Sequence, residues 1–347
     1  MATTAITFSN EYLSSTLYVL AKEWRDNLGV TTALIDEHER VHGQGGVKQD
    51  GGTRYVCGLG LGEHSSATRH QTGYEKRNLD VQDVLVPAVY TPAHTTMPVA
   101  ISKDEEMKNK GESAIISIME ARAESTLRLM RRRFLRRIAT GEPVAGFEDW
   151  NHLNGITYTD GFLEHDAVGS QTNSVGGVNK TTYQSTPGWQ NQRFNCASSF
   201  NTNGLPGMQD VGVEVDAVAS GGGNHLWLAS RAGAKNLKRA LRTYERYVDQ
   251  EKLDGGRLVE MWDGIRIAVE YYMPTNTTVH STAAISFYLL CLDDIHFMFD
   301  SEGYFDTSDF EKVSGEYDVR VATIRLYGQL VAKHLGSSGI VYDAETF

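Results

Sequence analysis

Apolar residues recur at spacings of three and four through the middle of this chain. Ile115, Met119, Ala123, Leu127, Met130, Phe134 and Ile138 fall on one helical face. The surrounding stretch, 102–140, has no proline and one glycine, Gly111. Ser102 stands where an N-cap belongs, with Asp104, Glu105 and Glu106 in the first turn, and Gly141 and Pro143 close the far end. The pattern predicts a single rod of about 35 residues, roughly 50 Å at 1.5 Å per residue. Globular helices average about a dozen residues. A rod this long and this poorly covered calls for completion by neighbouring subunits.

Other patterns flank the rod. Phe8, Tyr12, Leu13, Leu17 and Leu20 predict a short amphipathic helix in the lead. Residues 43–73 then hold nine glycines, too many for a packed core, and read as an extended hairpin. Its returning limb, 79–101, is rich in valine and carries Pro87, Pro92 and Pro98, which marks an edge or an exposed arm. The stretch 141–223 is loop-rich. A second helix is predicted over 229–250, with Leu237, Leu241, Tyr244 and Val248 on one face. Strands dominate afterwards: VEMWDGIRIAVEYYMP, AISFYLLCLDDIHFMFD and EYDVRVATIRLYGQLVAKHLG. The mixture is α+β, and no repeat of fixed period is visible.

Composition narrows the function classes. The net charge of −11 over 347 residues argues against general nucleic-acid binding, so any such contact is local. Cys57, Cys196 and Cys291 are far apart and odd in number, which suggests a reducing compartment and no disulfide framework. The first residues lack a basic n-region and an apolar core of signal length. No run of 18 apolar residues offers a membrane span. The expected place of synthesis and residence is a cytoplasm.

The order of parts, together with three local stretches, carries a resemblance. MPVAISKDEEM (97–107) is similar to the strand that enters the spine helix of the HK97-type major capsid proteins of tailed bacteriophages. WDGIRIAVEYYMP (262–274) resembles that family's aromatic–glycine–strand–Met-Pro pattern. The tail, 317–343, resembles its long peripheral strand and short acidic end. The resemblance implies an N-terminal arm over 1–50, an extended loop over 51–100 and a spine helix over 101–145. It further implies an axial domain over 146–260 and strands shared by axial and peripheral domains over 261–347. The implied function is a coat subunit forming the pentamers and hexamers of an icosahedral shell around packaged double-stranded DNA. No enzyme activity and no cofactor is implied. The large charged pro-segment of some family members is absent, so a separate scaffolding protein is expected, with a portal and decoration proteins as further partners. The expected location is the virion capsid, after assembly in a host cytoplasm.

Several residues compete for a role. Arg128, Arg131, Arg132, Arg133, Arg136 and Arg137 cluster near the end of the rod. They read either as an inner wall that neutralises DNA phosphates or as a solvated face met by a neighbour's acids. Gly58, Gly60, Gly62, Arg69 and Tyr74 are candidates for intersubunit contact in the extended loop. The glycines make a partial GxGxxG, but Glu63 takes the final glycine's place. His38-Glu39-Arg40-Val41-His42 is a literal HExxH, and on a helix His38 and His42 would face one zinc with Glu39 as base. That zinc-dependent peptidase is one alternative to the shell subunit; an oligomeric binding protein that encloses nothing is another. The peptidase context is poor: Lys48 stands at the third metzincin position and glycines follow His42 at once. Asp293 and Asp294 fall in a strand pattern, on opposite faces, and so cannot form a catalytic dyad. No catalytic residue is assigned.

Overall fold

The structure is a computed structural model. It describes residues 33–43, 46–62, 84–108, 118–158, 160–183, 187–197, 199–219, 223–242, 250–252, 258–274, 285–312 and 318–344. The predicted lead helix therefore lies outside the described residues.

Helix α1 (Ala33–His42) opens the described chain, followed by β1 (Val47–Lys48). Strands β2 (Tyr55–Gly60) and β3 (Leu85–Tyr90) pair antiparallel, Tyr55 opposite Tyr90 and Gly60 opposite Leu85, as the base of the expected hairpin. Next come β4 (Ala93–Ser102), α2 (Lys103–Lys108) and α3 (Ile118–Thr140). The loop-rich lobe carries β5 (Ser174–Val175), β6 (Val178–Asn179) and β7 (Gln192–Asn195), then α4 (Phe200–Val218). The remainder is β8 (His225–Ala229), α5 (Arg231–Arg242), β9 (Gln250–Lys252), β10 (Leu258–Trp262), β11 (Ile265–Val269) and β12 (Ile285–Cys291). Last are β13 (Ile295–Phe299), β14 (Asp306–Thr307), β15 (Glu311–Lys312), β16 (Val319–Ala332) and β17 (Gly339–Tyr342).

Two sheets organise these elements. In the first, the 14-residue β16 is the axis. β4 lies antiparallel along one side of it, and β13, β14 and β15 run back along the other. β4 pairs only with β16 among the described strands, which is where a strand containing Pro98 belongs. The second sheet has the order β7-β17-β12-β8-β11-β10-β9. β10 and β11 meet at Asp263 and Gly264, both with positive φ (52° and 76°), the two-residue turn that Asp-Gly favours.

The second sheet is covered on both faces. Leu226, Leu228, Tyr288, Leu290 and Ile340 join the main core, while Trp227, Ala229, Phe287, Leu289 and Val341 face α4 and α5. This explains why β12 is buried at every position. On the first sheet, Phe134 of α3 packs against Phe297 and edge-on to Trp150, with ring centroids 5.3 and 4.8 Å away. Burying such a ring contributes about 2–3 kcal/mol.

The structure corrects four sequence expectations. The region 102–140 is not one straight rod. Arg122 of α3 grips Glu105 of α2, with Nη2 to Oε1 at 2.7 Å, whereas 17 residues of straight helix would separate them by about 25 Å. The "loop-rich" 141–223 contains the 19-residue α4. Its Gly204, Pro206, Gly207 and Gly212 read as breakers. Yet a Cβ on Gly204 or Gly207 would meet the Phe200 or Phe194 ring at 2.4 or 2.3 Å, so packing demands those two glycines. The second predicted helix begins later than expected: α5 starts at Arg231 and is described to Arg242, with Leu237 and Leu241 buried, while Tyr244 and Val248 lie outside the described residues and Gln250 already belongs to β9. Asp293 and Asp294 sit in the turn between β12 and β13, not in a strand. Asp293 accepts from Asn224 N–H (2.9 Å) and Asp294 from the Ser337 hydroxyl (2.6 Å).

The predicted ends of the rod are found. Ser102 Oγ accepts from Glu105 N–H, and the Glu105 carboxylate accepts from Ser102 N–H, a reciprocal capping box. Gly141 (φ 73°) donates to Arg137 O at 2.9 Å, the left-handed stop that glycine permits.

Candidate functional site

The HExxH segment forms α1, and its histidines are spent on the first sheet. His38 is buried, and its Nε2 accepts from the Phe297 N–H at 3.0 Å. Burial, with lesser pressure from His42 and His296, draws its pKa down to about 3, which keeps it neutral and able to accept. His42 Nε2 lies 2.8 Å from Leu292 O. Glu39 turns elsewhere: the Tyr304 hydroxyl donates to it, and Arg131 stands 3.7 Å off. Both imidazoles thus hold α1 to β13 and the turn before it, and Glu39 faces α3. The geometry a zinc peptidase needs, two free imidazoles beside a free carboxylate, is missing from these residues.

Buried Glu270, just after β11, receives the start of α1. Its carboxylate accepts from the N–H groups of Leu34, Tyr271 and Tyr272. Burial nevertheless pushes its pKa up to about 7, because desolvation outweighs these bonds.

The six arginines of α3 do not share one face. At about 100° per residue they spread around the helix. Arg137 is buried; it donates to Trp150 O and Glu148 O (both 2.9 Å) and to Gly141 O. It ties the helix end to the following loop. Arg131 lies over the Phe305 ring, 5.2 Å from its centroid. Arg128 pairs with Glu124 and Arg136 with Glu142, both at the exposed surface. Arg132 and Arg133 are half-buried.

The hairpin has two unlike faces. Tyr55, Leu59, Ala88 and Tyr90 are buried, and the Tyr90 hydroxyl donates to Ala332 O at 2.8 Å. The hairpin base therefore packs into the main core, contrary to the glycine-rich reading. The opposite face presents Val56, Gly58 and Gly60 on β2 and Leu85, Pro87 and Val89 on β3. No charge occurs on it, and Val56 and Leu85 are 61% and 72% exposed. A Cβ on Gly58 or Gly60 would meet open space, so nothing within the described chain requires glycine there. Arg69 and Tyr74 lie outside the described residues.

Sequence reasoning missed a buried polar knot in the loop-rich lobe. Lys180, Glu164 and Asn191 are all buried, and Lys180 Nζ lies 2.9 Å from Glu164 Oε1. They are separated by up to 27 residues, with no spacing that signals a motif.

No protein-family model matches the sequence, and no curated protein matches it. Solved structures do. The chain is similar to a subunit of the capsid asymmetric unit of cyanophage A-1(L), with 15% identity and a TM-score of 0.62 over 97% of this chain and 100% of that one. It is similar to the SrpI encapsulin of Synechococcus elongatus PCC 7942 in its holo complex, with 10% identity and a TM-score of 0.58 over 94% and 93% of the two chains. The capsid of a native GTA particle gives 11% identity and a TM-score of 0.57 over 95% and 96%. The chain has the fold these shells share, the HK97 fold.

Proposed function

We propose that this HK97-fold chain is a major capsid protein, whose copies form the pentamers and hexamers of an icosahedral shell around packaged double-stranded DNA. The end-to-end match carries the reading: 97% of this chain aligns with the whole cyanophage capsid chain. The charge-free outer face of the β2–β3 hairpin supports it. Exposed apolar surface of this kind marks a contact that the lone subunit does not make. Assembly supplies that contact, and many small interfaces add through multivalency. Shell formation is the subunit's work, and no reaction is assigned to it.

The exposed arginines of α3, Arg128 and Arg136, with Arg131, Arg132 and Arg133, are proposed as the inner wall that meets DNA phosphates without reading sequence. A separate scaffolding protein and a portal complete assembly in the host cytoplasm. The likeness to an encapsulin favours one second reading, a shell of the same build that encloses no genome.

The experiment is expression of the full chain, alone and with small acidic candidate scaffolds, followed by electron microscopy and nuclease-protection assay. Closed shells or tubes are expected, and nuclease-resistant DNA in particles from an intact source separates the two readings. A stable monomer at high concentration, under every salt and scaffold condition, sinks both.

A further inference from the structure

Two helices on one face of the second sheet carry opposite charges. α4 holds Asp210, Glu214 and Asp216 and no cation. α5 holds Arg231, Lys235, Lys238, Arg239 and Arg242 and no acid, in a chain whose net charge is −11. At about 100° per residue, Arg231, Lys235, Lys238 and Arg239 fall within one arc of about 100°, and all four are exposed. Ala234, Leu237 and Leu241 turn to the sheet and are buried. The same count puts Asp210, Val213, Glu214 and Ala217 on one stripe of α4. All four of these are exposed too, Val213 at 61%.

The two stripes stand at different places along the layer. α4 packs on β7 and β17, at one end of the strand order, and α5 packs on β12. Beyond α5, on the side away from α4, lies a cavity of about 470 Å³ lined by Arg231, Ala234, Lys235, Lys238, Arg239 and Val269. Val269 belongs to β11, two strands past β12 in that order, and continues the helix-covered face of Ile265 and Ile267. The cavity thus has an apolar floor, Ala234 and Val269, and a rim of four cations. Arg231 Cζ sits 4.4 Å from the centroid of the Tyr271 ring, which holds one side of the rim. Among the described residues, no ion pair joins Asp210 or Glu214 to these cations.

We propose that the α4 stripe of one copy seats in the α5 cavity of the next, with Val213 on Ala234 and Val269 and with Asp210 and Glu214 against the cationic rim. A second copy is the occupant because the chain carries the complement itself: an acid–valine–acid stripe matches an apolar floor inside a cationic rim. Two different surfaces meet, so the contact is head-to-tail, and a head-to-tail contact that closes makes a ring. The inference rests on the shell reading and names the surfaces that build its pentamers and hexamers. The apolar floor supplies buried area, while the charges fix register and reject a mispaired neighbour. DNA phosphate competes for any basic cavity, but a phosphate has no use for the exposed Val269, and a valine does.

Charge reversal tests this in the full chain, under the conditions where the wild type assembles. Asp210→Lys with Glu214→Lys, and separately Arg231→Glu with Lys235→Glu, should each lower the yield of rings and shells about tenfold or more, since like charges then face each other. Circular dichroism and the urea midpoint of the monomer should not change. All four changes in one chain restore the pairing with its sign inverted, and assembly should return. Coexpression of the two double variants should give alternating rings, which close with six members and not with five; native mass spectrometry counts them. A salt bridge within one chain cannot produce that result. Normal assembly of either double variant overturns the proposal, as does a fourfold variant that still fails. Shells of the α5 variant that form normally but lose DNA assign the cavity to nucleic acid instead. If a reversed variant unfolds, Arg231→Gln with Lys235→Gln decides: a reduced ring yield supports the contact and an undiminished one overturns it. A wild type that never assembles removes the shell reading and this contact with it, whereas wild-type shells with indifferent variants remove the contact alone.

Discussion

Arg122 donates to both carboxylate oxygens of Glu105, at 2.7 and 2.9 Å, and also reaches Ala100 O at 3.1 Å. One side chain thus joins α2, α3 and the end of β4. The Arg122 bond, aided by Ser102, draws the Glu105 pKa down to about 2. A depressed carboxyl pKa stabilises the fold above its unfolded value. That contribution is lost as pH falls from about 4.5 toward 2. Because Arg122 is 39% exposed at its side chain, the pair is worth only ~1 kcal/mol. Arg122→Ala should lower the urea midpoint by that much at pH 7 and hardly at all at pH 2; an equal loss at both pH values would show that packing, not charge, is the effect.

His38 supplies a second pH window with the same sign. Its folded pKa near 3 lies below the ordinary histidine value of 6.5, as does that of His296, drawn by burial to about 4. Stability from the neutral rings is complete above 6.5 and falls as pH drops toward 4 and 3. His38→Gln keeps an acceptor for the Phe297 N–H and removes the His38 share of this slope, leaving that of His296, whereas His38→Ala leaves that N–H unpaired and costs ~1–3 kcal/mol at pH 7. Thermal melts from pH 8 to pH 4 separate the two. Stoichiometric zinc in the purified protein, lost in either variant, would revive the metal reading of α1.

Glu270 works in the opposite direction. Its pKa is raised to about 7, so it stabilises below its unfolded value of about 4.5 and loses that contribution as pH rises toward 7. Glu270→Gln should therefore raise the melting temperature at pH 8 and leave it nearly unchanged at pH 4. A lower melting temperature at pH 8 would mean that the charged carboxylate is needed at the start of α1.

These relationships mark the limit of sequence reading. Ser102, Glu105 and Gly141 were legible as helix ends because caps are local: a few consecutive residues satisfy one another's backbone groups. The break between α2 and α3 was not, because the Arg122–Glu105 grip is tertiary and overrides periodicity. α4 was hidden by Gly204 and Gly207, which look like breakers until the Phe194 and Phe200 rings beside them are seen. The hairpin was legible in outline from glycine and proline. Its division into a buried and a charge-free face follows from the pairing register of Gly58 with Pro87, which composition does not contain. The knot of Lys180, Glu164 and Asn191 had no sequence signal at all.

Among the arginines of α3, burial predicts a division of labour. Arg137→Ala strips hydrogen bonds from Trp150 O, Glu148 O and Gly141 O, at a cost of ~2–4 kcal/mol for buried acceptors left unpaired. Arg137→Lys, without the planar fork, should recover only part of this. Arg128→Gln with Arg136→Gln should leave the melting temperature within about 0.5 kcal/mol-equivalent of wild type, since exposed pairs contribute little. If these positions face the lumen, empty shells still form and DNA retention falls, more steeply as salt rises. Blocked assembly in the same double variant would instead assign them to a neighbouring subunit's acids.

The hairpin face gives the most direct test of the shell reading. Val56 and Leu85 are exposed large apolar side chains of a charge-free strip, on the side of the hairpin opposite the buried Tyr55, Leu59 and Tyr90. Val56→Asp and Leu85→Asp add charge without removing any buried contact of the lone subunit. Circular dichroism and the urea midpoint should stay within about 0.5 kcal/mol of wild type, the usual range for surface changes. Assembly should fail, because a carboxylate trapped without a partner in an apolar contact costs several kcal/mol at every copy of the interface. Deletion of 58–73 would be a poorer test, since it also removes the buried Leu59 and Leu61. Shells of normal size and stability built from the double aspartate variant would show that this face stays in solvent, and the hairpin would lose its place in assembly.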